Sequence, residues 1–266
     1  MIQDMKKLTF LVTNKEYDKF IADIRDLGVI HVEELQQGAT SDELQAGLDL
    51  AERYKNALKA LDFAAESYES STTYTPLPAD ASKGIALVDT VERLLAEENS
   101  VKHSIDATDE AIAQLEPFGE FSWDTVRQLE ATGYKPYFYA VNNKLYKAEW
   151  GEKYYATPVS EFNKKTYFVA FSNEDSEPEI TAERLFLTDD SLSVYQEKRK
   201  TLGEQLASIH EQLLQVNTVD RASIEAGKVA NENDIQLSKV HLSNENIADG
   251  AVKLMIGWTQ IGRAHV

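Results

Sequence analysis

Residues 192–216 read LSVYQEKRKTLGEQLASIHEQLLQV. Within them Leu192, Tyr195, Arg199, Leu202, Leu206, Ile209, Leu213 and Val216 follow one another in alternating steps of three and four. A helix turns once in ~3.6 residues, so this alternation gathers those side chains into one narrow stripe, the seam of a coiled coil. A globular helix would show a broader apolar face. Arg199 alone breaks the apolar run. Upstream, Leu87, Val91, Leu94, Glu98, Val101, Ile105, Thr108, Ile112 and Leu115 repeat the spacing. Two stripes of similar length can cover one another, and the block between them is rich in Tyr, Phe, Gly and Pro and lacks the repeat. The fold class expected is therefore α+β, with two small α/β lobes joined by a long antiparallel helical coiled-coil arm.

Setting Leu115 level with Leu192 brings Thr108 level with Arg199, so both departures from the apolar pattern share a layer. Asp106 or Asp109 then comes within reach of the guanidinium. The alternative is an Arg199 that snorkels outward from a weak layer.

Taken in order, residues 1–40 read as a proximal β-α-β lobe. Leu8, Phe10 and Val12 alternate as a strand, and Asn14 caps a helix whose Tyr17, Phe20, Ile21, Ile24 and Leu27 share a side. Gly28 suits a left-handed helix end, and Val29, Ile30 and Val32 resume a strand. Residues 41–116 hold the outward helices, with a linker near 70–84. The first helix, Asp42 to about Tyr68, turns Leu44, Ala51, Tyr54, Leu58, Leu61, Ala65 and Tyr68 inward. The linker contains Ser-Ser-Thr-Thr, prolines and a glycine, and reads as irregular. A tight hairpin there would send the next helix straight home. An extended linker at ~3.3 Å per residue instead retraces much of a helix rising ~1.5 Å per residue.

Residues 117–188 form a distal α+β lobe. Pro117 and Gly119 end the outward helix, and Ser122 and Gly133 bound a short helix holding Val126 and Leu129. Lys135–Val141 and Thr166–Phe171 read as strands, Asn142-Asn143 as a turn, and Tyr154-Tyr155 as a third strand candidate. Asn173 to Pro178 is an acidic loop, and Leu185 and Leu187 suggest an edge strand. Residues 189–230 are the return helix, entered at Thr188-Asp189-Asp190. Its stripe degrades through Asp220, Ser223 and Gly227, which predicts loosening and flexing there. Residues 231–260 lead back to the proximal lobe, with a break at Asn231–Asp234. Ile235, Val240 and Leu242 are too scattered to assign. Val252, Leu254, Ile256 and Trp258 alternate as a strand that completes the first sheet.

Composition narrows the function. The 27 Lys and Arg against 45 Asp and Glu leave a formal charge of -18, which repels nucleic acid and anionic lipid and leaves basic protein partners open. The absence of cysteine removes disulfides, thiolate zinc sites and cysteine nucleophiles. The start Met1-Ile2-Gln3-Asp4 does not read as a secretion signal, and no stretch approaches the ~20 apolar residues of a membrane span. Neither common glycine-rich phosphate loop is present. His31-Val32-Glu33 copies half of a zinc deaminase signature, whose other half needs cysteines, and His210-Glu211 lacks a metalloprotease's second histidine. His31, His103, His210 and His241 read as surface or core fillers, and His265 lies in the tail. Glu33-Glu34, Glu97-Glu98 and Asp189-Asp190 read as solvated charge or helix-start acids. Tyr134, Tyr137, Phe138, Tyr139, Tyr154, Tyr155, Tyr167 and Phe168 form an aromatic cluster, read as the lobe core plus one exposed face in preference to a stacking platform. No catalytic, cofactor-binding or metal-ligating residue is assigned.

Met5-Lys-Lys-Leu-Thr-Phe, a short helix, and then Leu27-Gly-Val-Ile-His-Val-Glu-Glu-Leu35 resemble the start of the I subunit of bacterial and archaeal V/A-type ATPases, the counterpart of eukaryotic V-ATPase subunit a. Two heptad segments around a middle lobe, and Gly257-Trp258 after a hydrophobic strand, are similar in order to that family's cytoplasmic half. The family continues from Gly-Trp into Val-Pro and a membrane domain, where this chain has Thr259-Gln260. The tail 261–266 resembles one frame of a sequencing adapter, so a truncated gene fragment is expected. The resemblance implies a non-enzymatic stator arm on the cytoplasmic face of the cell membrane. It would hold peripheral stalk heterodimers and other rotary ATPase subunits, and reach the membrane through a C-terminal domain. The other readings are a non-motor coiled-coil tether or adaptor, and a small-molecule sensor built on the Gly28 lobe.

Overall fold

The structure, a computed structural model, describes residues 5–33, 41–69, 72–173, 177–242, 245–247 and 251–260. Glu34, Leu35, Ser70, Ser71, the middle of the acidic loop and the tail with His265 lie outside them. In chain order the elements are β1 (Met5–Thr13), α1 (Tyr17–Leu27), β2 (Ile30–Val32), α2 (Asp42–Ser67), α3 (Gly84–Leu115), α4 (Trp123–Ala131), β3 (Lys135–Asn142), α5 (Glu149–Tyr154), β4 (Thr157–Phe162), β5 (Lys165–Ser172), β6 (Glu183–Leu185), α6 (Leu192–Val219), α7 (Arg221–Leu242), β7 (Glu245–Ile247) and β8 (Val252–Gln260). Helix and sheet are mixed, with two small sheets and several long helices. The chain divides into two units, Met1–Glu92 with Leu213–Val266, and Arg93–Gln212.

In the first unit β8 is the central strand. It pairs antiparallel with all of β1, from Met5 opposite Gln260 to Thr13 opposite Val252, and its other edge takes β2 and β7. The β1-α1-β2 crossover thus skips one position, and β8 fills it. Alternation puts Phe10, Val12 and Met255 on one face, against Tyr17, Ile21 and Ile24 of α1 and Leu237 and Val240 of α7. Gly28 ends α1 in the left-handed conformation (φ 61°). Two expectations fail at this helix. Asn14 does not cap it, because the Asn14 amide extends the β1–β8 ladder to Ala251 O (3.0 Å) and Glu16 takes the cap position. Leu27, in the last turn, is exposed.

Helix α2 starts at a Ser41 cap, whose hydroxyl accepts from the Leu44 amide (3.1 Å), and buries Leu44, Tyr54, Ala57, Leu61 and Ala64. It packs against α7. Asn231 donates to Gly47 O (2.9 Å), and Tyr54 sits where Gly84 of α3 and Gly227 of α7 meet. The linker does retrace α2. From Ser67 the chain returns to Gly84 beside Tyr54, undoing roughly 20 Å of helix at ~1.5 Å per residue.

The expected degraded stripe is here close packing. Ser223, Ile224, Gly227, Asn231 and Ile235 are all buried, and their small side chains let helices approach. Nor does the chain break at Asn231–Asp234, which lies inside α7. The single turn residue is Asp220.

The second unit carries the sheet β4-β5-β3-β6, antiparallel throughout. Asn163 and Lys164, both at positive φ (47° and 64°), make the tight turn between β4 and β5. One sheet face holds the core: Tyr137, Tyr139, Phe168 and Ala170 under Trp150 of α5. The Tyr154-Tyr155 strand is not formed. Trp150 stacks on Phe168 (5.6 Å) and draws Glu149–Tyr154 into a helix, which Tyr155 ends at φ 52°. The third strand is β4 instead, a mostly exposed edge whose Thr-Pro-Val-Ser-Glu-Phe shows no clean alternation. Ser122 precedes α4 without a side-chain cap bond. Helices α3 and α6 meet in this unit, where Arg199 Nε donates to Asp109 (2.8 Å) and His210 Nε2 lies 3.1 Å from Glu98.

Candidate functional site

The expected filler histidines are dispersed. His31 and His103 are exposed, on β2 and α3, while His241 stands edge-on to Tyr17 with Asp18 at 3.9 Å. His210 belongs to a polar layer. Glu98 is buried between helices, with Lys102 Nζ at 2.5 Å and His210 Nε2 at 3.1 Å. Among the described residues no group of His, Cys, Asp and Glu is arranged to hold a metal ion, and no helix is long and apolar enough to cross a membrane.

The carboxylates have structural partners. Glu33 accepts from Lys7 (3.0 Å) and from Trp258 Nε1 (3.1 Å), and Lys7 also lies over the Trp258 ring. The Lys7 hydrogen bond is the main cause that holds the Glu33 carboxyl below its ordinary range, against a smaller opposing effect of burial. Glu97 pairs with Arg93 one turn away. Glu120 accepts the Ser193 amide (2.9 Å) and hydroxyl (3.0 Å) at the start of α6, so a carboxylate from after α3 caps the return helix. Trp123 Nε1 adds a bond to Asp190 O (3.0 Å). The sequence placed that start at Thr188-Asp189-Asp190, whereas regular helix begins at Leu192.

The aromatic cluster divides by strand parity. Tyr137, Tyr139 and Phe168 go to the core face. Phe138 goes to the other, where Phe118 meets it edge-on (5.2 Å), Phe121 stacks on it (5.9 Å) and Trp123 tilts over it (6.0 Å). Phe118, Phe121, Trp123 and Trp150 were missed in the sequence, because single aromatics in a Pro-Gly stretch or a one-turn helix have no period to betray them.

This second face is only partly covered. Helix α4 lies over it yet buries none of its own residues. A groove of about 290 Å³ remains between α4 and the sheet, lined by Val126, Leu129, Pro136, Val159, Val169 and Phe171 beside the Phe118, Phe121 and Phe138 rings. None of its lining side chains titrates, so it offers contact and no chemistry. Val159 and Leu129 stand exposed at its rim. Asp124 and Glu130 lie on α4, and Arg127 is tied to Asp124 (2.8 Å), whose carboxylate raises the guanidinium pKa.

No family model matches the chain, and no curated protein matches it. Among solved structures it is similar to the crystal structure of the cytoplasmic N-terminal domain of subunit I, homolog of subunit a, of V-ATPase, at 14% identity and a TM-score of 0.42 over 97% of this chain and 94% of that one.

Proposed function

We propose that the chain is the cytoplasmic stator arm of a rotary V/A-type ATPase, a structural subunit that catalyses nothing itself. The observation that carries this reading is a meeting of motifs. Of the two stretches behind the sequence resemblance, Ile30–Val32 of the first pairs with the strand that carries Gly257-Trp258, with His31 opposite Trp258 and Val32 opposite Gly257. The glycine has a reason to be there, since a Cβ on Gly257 would come 2.5 Å from Ile30 Cγ2. In this reading residues 1–40 with 231–260 form the proximal lobe, residues 117–188 the distal lobe, and α3 with α6 the coiled-coil arm.

The arm acts mechanically. It anchors peripheral stalks, so that rotor torque is resisted and ATP hydrolysis or synthesis couples to proton or sodium transport in the family's membrane domain. The groove beside α4 takes an apolar ridge of a stalk helix whose flanks are basic, matching the acidic balance of this chain. The test is co-purification of the chain with a helical V/A-type stalk heterodimer. Complex formation is expected, and Leu129→Glu with Val159→Glu, both at exposed rim positions, should weaken it at least about tenfold with the circular dichroism unchanged. A chain that ignores the stalk overturns the reading. Binding that survives both substitutions moves the site elsewhere.

A further inference from the structure

The helix breaks at the junction of α6 and α7, where the Thr218 hydroxyl also bonds back to Leu214 O (2.9 Å). From Gln215 to Ala226 there is neither proline nor glycine, yet the helix ends at Val219 and restarts at Arg221. In an unbroken helix the Val219 carbonyl would accept from the amide of Ser223. Here Val219 O accepts from Leu77 N (3.0 Å), and the Ser223 amide bonds to Asp220 O (2.9 Å), three residues back. The Ser223 hydroxyl accepts from Asp80 N (3.0 Å). An outside donor has been inserted into the ladder, which is a recognised way to break or kink a helix.

That donor comes from the irregular chain 72–80, and its sequence suits the task. Leu77 lies between Pro76 and Pro78, which lack amide hydrogens and hold the chain extended, so Leu77 supplies the triplet's only N–H. The Leu77 side chain is half exposed, so the attachment is through the backbone. A second tie holds the corner from the other side. Arg221 Nη1 donates to Asp62 of α2 (2.7 Å) and to Asn217 (2.9 Å), and its Nε donates to Glu225 (2.8 Å).

We propose that residues 72–80 are a strap that holds this junction in its broken state, and that freeing the Val219 carbonyl lets α6 and α7 join as one helix from Leu192 to Leu242. The junction is thus a two-state element. The inference stands independently of the stator reading.

Leu77→Pro tests it by deleting one amide hydrogen while keeping an extended proline triplet, and Leu77→Ala is the control that keeps the donor. The readout is the trans-hydrogen-bond coupling of the Ser223 amide in the labelled full chain. The native protein and Leu77→Ala should couple Ser223 to the Asp220 carbonyl. Leu77→Pro should shift the population toward Val219 by about two- to tenfold, the weight of one net hydrogen bond. Should Leu77→Pro not fold, Ser223→Ala removes the Asp80 attachment and is read in the same way, with a smaller shift in the same direction expected, because the Leu77 amide still bonds the Val219 carbonyl. Coupling to Asp220 unchanged in the folded variant overturns the strap, and so does coupling to Val219 in the native protein.

Discussion

In the unit of Met1–Glu92 and Leu213–Val266, helices meet through small residues and one large ring. Tyr54 of α2 is nearly fully buried, and Cβ atoms placed on Gly84 and Gly227 would come 2.6 and 2.5 Å from its hydroxyl. In the Arg93–Gln212 unit α3 and α6 meet instead across Glu98 with His210 and across Asp109 with Arg199. Leu202 and Leu206 of that seam stay half-buried, and a groove of about 390 Å³ opens along it, floored by Val101 and Ile209. Three helices exclude water where two cannot, so the same kind of stripe is tightly packed in one unit and partly wet in the other. A lone helix pair lies close to the balance between burial and conformational entropy.

The largest expected difference follows directly. Leu61 is fully buried and Leu202 is not. Leu61→Ala should cost about 2–5 kcal/mol, the range for a truncated core leucine, and Leu202→Ala less than half as much. Hydrogen exchange of each unit's own slow amides measures both. Equal losses would mean that the second seam is as tight as the first.

Next comes Gly227→Ala. Alanine in an exposed helix interior gains ~1 kcal/mol over glycine. Here the new methyl meets Gly84 Cα at 3.0 Å as well as the Tyr54 hydroxyl, and a backbone atom cannot swing aside. Overpacking should win and leave the variant about 1–3 kcal/mol less stable. Adding Tyr54→Phe removes the nearest atom and should restore part of that loss. A stabilised Gly227→Ala would show that the three helices are not in close contact.

These two units were not equally legible in the sequence. Stripes at 87–115 and 192–216 announce helices because their period is local, and setting Thr108 beside Arg199 leaves Asp106 or Asp109 as the partner of an inward Arg199, of which Asp109 makes the bond. The terminal strand was readable from its alternation, and β8 does lie between β1 and β2. What escaped depends on partners distant in sequence. Ser223 and Gly227 look like a failing stripe until Tyr54 is put beside them. No proline or glycine marks the turn at Asp220, and the amide that bonds Val219 O belongs to Leu77, far away in sequence. The groove was hidden because Phe118 and Phe121 precede α4 while Phe138 belongs to a strand, and only folding stacks them.

The polar seam can be sharpened by replacing its buried layer. Removing Glu98 leaves Lys102 and His210, both partly exposed and able to turn to water. Exchanging the pair together, Glu98→Leu with His210→Leu, should raise stability by about 1 kcal/mol in a denaturant titration, since a buried carboxylate and its polar partner often lose to apolar side chains of like volume. A loss would show that the layer stabilises the seam by itself. Arg199→Ala should matter less, about 0.2–1 kcal/mol, because Arg199 and Asp109 are both largely exposed and screened. A double-mutant cycle with Asp109→Ala isolates that coupling, and a value near zero leaves the layer without an ionic contribution.

The smallest effect belongs to the Glu120 cap and is best seen through pH. The Ser193 amide is the main cause that lowers the Glu120 pKa, burial opposes it, and the Ser193 and Ser191 hydroxyls add to the lowering. A carboxylate depressed in the folded state contributes stability that is fully present above its unfolded value, ~4.3, and is lost as pH falls below that through the folded value. Glu120→Gln keeps an oxygen for the Ser193 amide and abolishes the charge. The native chain should therefore melt slightly higher than Glu120→Gln at neutral pH, and the two melting temperatures should converge as the pH drops below ~4.3. A gap that persists unchanged down to the fully protonated state would assign the cap to hydrogen-bond geometry alone, with the charge playing no part in holding the start of α6.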